Sequence, residues 1–318
     1  MGNVEFGRHG AFSRRDAITR LGGYEVRRAQ ESGLWASPWS GVLVEAVRAD
    51  EPLTLASAAV CLGGPGVVLA GPTAAYLHGC RAVEPTPVHV IAPYGHWLRS
   101  RSGLVVHNGP LTPGDLGYVN DLPVLGFDRT MTDMLCTARP PDAVAVLDEA
   151  LAMIEPGRRE QFRATIAKRL AQRRDPRGTR RGAQLLGLAT GRAESPAESW
   201  MLWRIVDSGF PVPEVNWSLV GPHGREVYRL DIAWPDLRIV LEYDGHAAHA
   251  GRAAEDEARS EDLRRRGWIR IAVRADDLRS PARFEQELVD AFACRGVDMS
   301  RRLVGTLAGR RHRDRPAA

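Results

Sequence analysis

Two acidic residues stand two apart at the end of an apolar run, in Leu241-Glu-Tyr-Asp-Gly-His-Ala-Ala-His249. Arg238–Asp244 reads as a β-strand, in which alternate side chains share a face. Glu242 and Asp244 fall on one side with Val240, while Ile239, Leu241 and Tyr243 fall on the other. In the preceding strand, Tyr228–Trp234, Asp231 takes the side opposite to Leu230 and Ile232. The short link Pro235-Asp-Leu237 makes a hairpin, so Asp231 can sit across from the Glu242–Asp244 edge. Two carboxylates about 4 Å apart repel by roughly 4 kcal/mol at an effective dielectric near 20. A cation or a proton must offset that cost. Oxygen-only ligands favour a hard divalent ion, with Mg2+ first and Mn2+ as its substitute.

Each of these residues also has a plainer reading. Acidic residues at a strand end commonly face solvent. Ser195, Pro196 at the first helical position and Glu198 three residues past the serine form a capping box, which alone accounts for Glu198. His246 and His249 fit a surface as well as a site. Asp256 and Arg259 lie one helical turn apart and can pair with each other.

The elements that would position these groups form three segments. In residues 1–50, Ser13-Arg-Arg-Asp16 caps a short helix that stops at Gly22-Gly23, and a second helix from Tyr24 stops at Gly33. Leu34–Val44 reads as a hairpin around Ser37-Pro38. Helix, tight turn, helix, wing is the order of a winged helix-turn-helix. Residues 51–172 alternate short alanine-rich helices with the strands Val88–Ala92 and Leu104–His107, followed by three longer helices. A basic connector and a short helix occupy 173–192. Residues 193–308 read α-β-β-β-α-β-α, a mixed sheet with helices packed on it. A basic tail, 309–318, reads as disordered. The fold class is therefore α/β and multi-domain: a winged helix-turn-helix, an α+β middle domain and a C-terminal mixed sheet flanked by helices.

Residues 193–275 resemble an endonuclease-like family related to the very-short-patch-repair endonucleases, within the PD-(D/E)XK nuclease superfamily. The residues carrying the resemblance are Ser195-Pro-x-Glu198, Pro213, Asn216, Arg229-x-Asp231-x-x-Trp234-Pro235, Glu242-x-Asp244-Gly245-x-x-x-His249, Asp256-x-x-Arg259, Leu263, Gly267-Trp268 and Arg274. The resemblance implies a restriction-endonuclease-like fold, with Asp231 and Glu242 as metal ligands and Glu198 as a supporting acid. It implies His249 as general acid or base and Arg259 as a phosphate clamp. The superfamily's lysine, two residues after the glutamate, is replaced here by Asp244, which can bind metal or orient water but cannot act as an ammonium does.

The front of the chain is similar to AbiEi-type antitoxins. Its carriers are Gly10-Ala-Phe-Ser13, Gly33-Leu-Trp35, Ala70-Gly-Pro-Thr-Ala-Ala75, Val88-His-Val90, Leu122-Pro-Val124 and Arg129-Thr-x-x-Asp133. The resemblance implies DNA as a partner, and a cognate toxin protein as another. If the second helix enters a major groove, Arg27, Arg28 and Gln30 are the side chains placed to read it. Met1–His9 is too short to supply the further helix such domains carry before the turn.

Composition narrows the classes without deciding among them. The chain has 318 residues, 44% hydrophobic and 26% charged, which is globular. Its formal net charge is +4 with a pI near 9.1, and Lys168 is its one lysine, so its positive charge is almost all arginine. Four scattered cysteines, Cys61, Cys80, Cys136 and Cys294, give no zinc or redox pair and read as reduced thiols. No signal-like start and no unbroken apolar span suggest a membrane, and a cytoplasmic location follows. The sequence thus points to a magnesium-dependent DNA endonuclease with an antitoxin-like front half. The alternative is a DNA-binding regulator or type IV antitoxin whose nuclease fold does not cut.

Overall fold

The computed structural model of the chain describes residues 7–221, 224–244, 253–305 and 307. The architecture is mixed α/β with three sheets, in agreement with the α/β reading. Two compact units divide at Met134 and Leu135, inside a helix. Among the described residues, no helix is long and apolar enough to cross a membrane.

In the first unit, β1 (Ala11–Ser13), β2 (Trp35–Ala36) and β3 (Val42–Glu45) form a sheet in the order β1-β3-β2. Between them run α1 (Arg14–Leu21) and α2 (Gly23–Glu31), within a residue or two of their expected ends. Ser13 accepts the Asp16 amide at 3.4 Å, and Gly22, at φ 83°, makes the turn between the helices. Phe12 meets Trp35 edge-on at 4.9 Å, over a small core with Ala17, Val26 and Leu43.

A second sheet follows, ordered β6-β5-β4-β8-β7. Its strands are β4 (Val68–Leu69), β5 (Val88–Ala92), β6 (Leu104–Asn108), β7 (Leu116–Val119) and β8 (Leu122–Leu125). The helices α3 (Pro52–Gly63), α4 (Gly71–Leu77) and α5 (Phe127–Thr137) accompany it. The buried Ala56, Ala58 and Ala59 of α3 pack among Leu69, Val88, Val90, Leu104 and Val124. Strands β1, β4, β7 and β8 are absent from the sequence reading. β1 and β4 are three residues or fewer, and β7 and β8 turn through Asn120 and Asp121, both at positive φ.

The second unit opens with three helices, α6 (Pro140–Met153), α7 (Arg159–Ala171) and α8 (Thr179–Leu188). The sequence reading put 135–172 in the middle domain and 173–192 in a connector. In the structure all three helices group with the C-terminal sheet, because α6 packs along α9 (Pro196–Asp207). The sheet, ordered β12-β11-β10-β9, is built of β9 (Glu214–Val220), β10 (Glu226–Trp234), β11 (Ile239–Asp244) and β12 (Ile269–Arg274). β9, β10 and β11 pair antiparallel, and β11 and β12 pair parallel. A parallel pair needs a crossover, and α10 (Ala253–Arg265) lies within it. Two helices, α11 (Ala275–Arg279) and α12 (Ala282–Cys294), close the unit. Phe292 of α12 meets Trp234 edge-on at 5.2 Å and Phe210 at 5.6 Å.

Candidate functional site

The strand register builds the site. Ile232 stands opposite Leu241, so the next step of the antiparallel ladder sets Asp231 opposite Glu242, and opposite residues share a face. On the other side of β10, Leu230 faces Trp217 and Ile232 faces Val215, which leaves Asn216 across from Asp231. Asn216, Asp231 and Glu242 thus form one row across three strands. Asn216 has φ 48°, a left-handed conformation that asparagine tolerates.

Glu198 joins the row from the first turn of α9. Its Oε2 accepts the Asn216 side-chain N–H at 2.7 Å and the Glu194 amide at 2.8 Å, and its Oε1 accepts the Ser195 hydroxyl at 2.8 Å. Ser195 in turn accepts the Glu198 amide at 3.3 Å. The capping role expected of Glu198 is therefore present, and the same carboxylate also reaches the row.

Asp231 Oδ2 accepts the Tyr243 amide at 2.8 Å. Burial pushes its carboxyl up to about 6, the Tyr243 hydrogen bond pulls it down, and the negative charges of Glu198 and Glu242 add to the rise. Among the described residues Oδ1 has no hydrogen-bond partner.

Glu242 is buried, and each of its oxygens meets a guanidinium. Arg259 of α10 donates to Oε1 through both Nε, at 3.1 Å, and a terminal nitrogen, and Arg270 of β12 donates to Oε2. Arg259 also donates to the Arg229 carbonyl at 2.9 Å and lies over the Tyr228 ring at 4.8 Å. Arg270 donates to the Ser260 hydroxyl at 2.9 Å. The cluster therefore sets three carboxylates, Glu198, Asp231 and Glu242, against two guanidiniums. One negative charge is left over once Asp231 is ionised, as it is above about pH 6.

Of the expected site residues, the fold brings Glu198, Asp231, Glu242 and Arg259 together. Asp244 ends β11, half-buried, in register with Arg274. His249 lies outside the described residues, as does His246. In the first unit, Arg27 and Arg28 are exposed on α2, with Arg28 within 3.9 Å of Glu25. Gln30, expected to face DNA, is half-buried, and its side-chain oxygen accepts Arg14 at 2.6 Å, so it braces α1 against α2. Sequence reasoning missed Arg270; an arginine among Ile269, Ile271 and Val273 was the available signal.

Beside the row lies an open cleft of about 760 Å³, lined in part by Arg192, Asn216, Trp217 and Arg229. Its arginines are already neutralised, Arg192 by Glu214 at 3.3 Å and Arg229 by Glu194 at 2.6 Å. The cleft is thus polar but not strongly attractive to phosphate.

Among the described residues, no three histidine, cysteine or acidic side chains form a ready metal cage. Magnesium does not require one: it keeps several waters and binds through one or two carboxylates plus substrate phosphate oxygens. Among the described residues Asp231 keeps Oδ1 open for such an ion, while a bond to Glu242 would be shared with the guanidiniums of Arg259 and Arg270.

Comparison with known proteins places the chain among relatives. It is 34% identical over 245 residues to "Uncharacterized protein Rv2248" of Mycobacterium tuberculosis strain H37Rv, covering 76% of this chain and 86% of that one. The chain belongs to the family of that protein. "Uncharacterized protein MT2308" of strain CDC 1551, a member of the same family, matches with the same identity and coverage. No family model matches the chain. The crystal structure of the RV2827C protein from Mycobacterium tuberculosis aligns with a TM-score of 0.42 at 18% identity, over 68% of this chain and 85% of that one.

Proposed function

We propose that the chain is a magnesium-dependent DNA endonuclease whose first unit holds DNA and whose second unit hydrolyses a phosphodiester. The observation that carries the reading is the row Asn216–Asp231–Glu242, completed by Glu198, with its uncompensated negative charge. Asp231 and Glu242 would hold the ion, which when bound supplies a Lewis acid for the phosphate and lowers the pKa of an attacking water. Glu198 fixes Asn216 and so the end of the row. Arg259 and Arg270 hold Glu242 in place, and both bring positive charge to the row that can meet phosphate. Asp244 stands where the superfamily's lysine would be, so the charge on the transition state must be met by guanidiniums. Arg27 and Arg28, exposed on the second helix of a helix-turn-helix, are the DNA-facing groups of the first unit.

A second reading has an observation of its own. Both oxygens of Glu242 already sit on arginines, and a carboxylate replaces the lysine. These favour a DNA-binding regulator or antitoxin, with a toxin protein as partner, whose nuclease fold no longer cuts.

Supercoiled plasmid separates the two. The nuclease reading expects nicking that requires magnesium or manganese and is lost in both Asp231→Asn and Glu242→Gln, each shown by circular dichroism to be folded. Salt-sensitive gel retardation of plasmid that neither substitution alters, without nicking in either metal, is the outcome for the regulator.

A further inference from the structure

The segment 93–103, between β5 and β6, has a composition unlike the rest of its unit. It reads Pro93-Tyr-Gly-His-Trp-Leu-Arg-Ser-Arg-Ser-Gly103, and no aspartate or glutamate occurs from Pro85 to Gly114. Tyr94 is 74% exposed and Trp97 59%, although aromatic side chains of this size usually go inside. Arg99 and Arg101 are exposed too. Their guanidiniums donate to backbone carbonyls of the segment itself, Arg99 to those of His96 and Leu98, and Arg101 to that of Arg99. Among the described residues neither has an acidic partner.

The segment is built, not loose. Leu98 is fully buried in the core of the sheet and anchors the middle. His96 Nδ1 accepts the Leu98 amide at 3.1 Å and its ring stacks on Trp97 at 5.6 Å. The Ser100 hydroxyl accepts the Val106 amide at 2.9 Å, and Arg101 bridges to Leu104. Trp97 is thus displayed on a fixed frame, which lowers the entropy lost when something stacks on it.

The frame is tied to the hairpin of the first sheet. The Trp39 indole N–H donates to the Ser102 carbonyl at 2.9 Å. Trp39 lies between β2 and β3, in the position of a wing. The aromatic segment is therefore fastened to the wing.

We propose that segment 93–103 binds single-stranded nucleic acid, with Tyr94 and Trp97 stacking on bases and Arg99 and Arg101 neutralising phosphates. Exposed aromatics with arginines also suit a protein partner. The lack of acids across the segment and its tie to the wing favour a polyanion with flat bases. The choice of nucleic acid over protein rests on the wing reading; it does not depend on cleavage in the second unit.

The test uses full-length protein in EDTA and fluorescein-labelled dT20, followed by anisotropy across a salt series. Arg99→Ala/Arg101→Ala should weaken binding at least about tenfold and flatten the log–log salt slope by about 1.4, at about 0.7 per phosphate contact on a single strand. Trp97→Ala and Tyr94→Ala should each weaken it by about 5- to 150-fold, while Trp97→Phe stays near wild type. Unlabelled polyglutamate should compete poorly. Absence of dT20 binding, loop variants that bind as wild type does, or polyglutamate competing as well as dT20 would each overturn the assignment. Arg27→Ala/Arg28→Ala, read on duplex DNA alone, tests the helix-turn-helix separately, so either reading can fail without the other.

Discussion

The Asp231 carboxylate accepts the backbone N–H of Tyr243 at 2.8 Å, so the β10–β11 ladder ends on a side chain instead of a carbonyl. That bond holds the acid where burial, and then Glu198 and Glu242, raise it to about 6. An ordinary aspartate titrates at about 3.9. Between these values the folded chain binds more proton than the unfolded one, so this group's contribution to stability falls as pH rises through the window. Above pH 6 the ionised form costs on the order of 3 kcal/mol. Asp231→Asn keeps an acceptor and removes the charge. In EDTA it should raise the urea midpoint of the second unit at pH 8 and leave it unchanged near pH 4. An equal effect at both pH values would contradict the coupling.

Glu242 predicts the opposite sign. Its carboxylate is buried, and Arg259 and Arg270 keep about a quarter to a third of their side chains exposed, at 30% and 25%. Removing the acid leaves two guanidiniums without the carboxylate that both of them pair with. Glu242→Ala should cost about 3 kcal/mol, at the lower end of the range for breaking a buried pair, because both arginines keep some solvent. Pairing Glu242→Gln with Arg270→Met should cost clearly less than the sum of the two single changes, since the double variant strands less charge. Urea unfolding of the four proteins checks this, and additive costs would mean that the ion pairs are not coupled.

Legibility of the site followed from periodicity. Alternation along Ile239–Asp244 and a short link to β10 were enough to set Asp231 across from Glu242, and the ladder has that register. The capping box at Ser195 was equally local and has the expected bonds. What sequence could not supply was the third dimension of charge. Arg270 reaches Glu242 only because β12 returns parallel to β11, a crossover that no local pattern encodes. Gln30 faces Arg14 because α1 and α2 turn tightly at Gly22, which hides one face of α2. Short strands such as β4 carry too few residues for a period of two to register.

His89 and His107 sit on neighbouring parallel strands with their ring nitrogens 3.0 Å apart. Burial, followed by the charge His107 would carry, lowers His89 to about 4. An unfolded histidine titrates near about 6.5, so the unfolded chain takes up the proton first as pH falls. Stability contributed by neutral His89 is therefore complete above about pH 6.5 and is lost as pH falls toward 4. Histidine ring resonances of the first unit should show one member that does not titrate between pH 5 and 8. His89→Gln should flatten the acid limb of that unit's stability curve; an unchanged acid limb would assign the loss to other groups.

Asp148 is the least expected of the buried acids, because it sits among alanines, valines and leucines on α6. It accepts the Thr190 amide at 2.7 Å, the Gly191 amide at 2.6 Å and the Ser199 hydroxyl at 2.8 Å. One carboxylate thus fastens the chain entering α9 to α6, and α9 carries Glu198 toward the row. Burial pushes its carboxyl up, and those hydrogen bonds offset part of the shift. Asp148→Ala leaves the Thr190 and Gly191 amides without acceptors and should destabilise the second unit by about 2–4 kcal/mol. Asp148→Asn keeps one acceptor oxygen but sets an amide donor beside other donors, so it should recover only part of the loss. Ser199→Ala removes a single bond and should cost about 1 kcal/mol. Because Glu198 is positioned through the same helix start, Asp148→Ala should also speed hydrogen exchange at the Glu198 and Ser199 amides beyond the global loss. Exchange there that merely tracks overall stability would separate the anchor from the site.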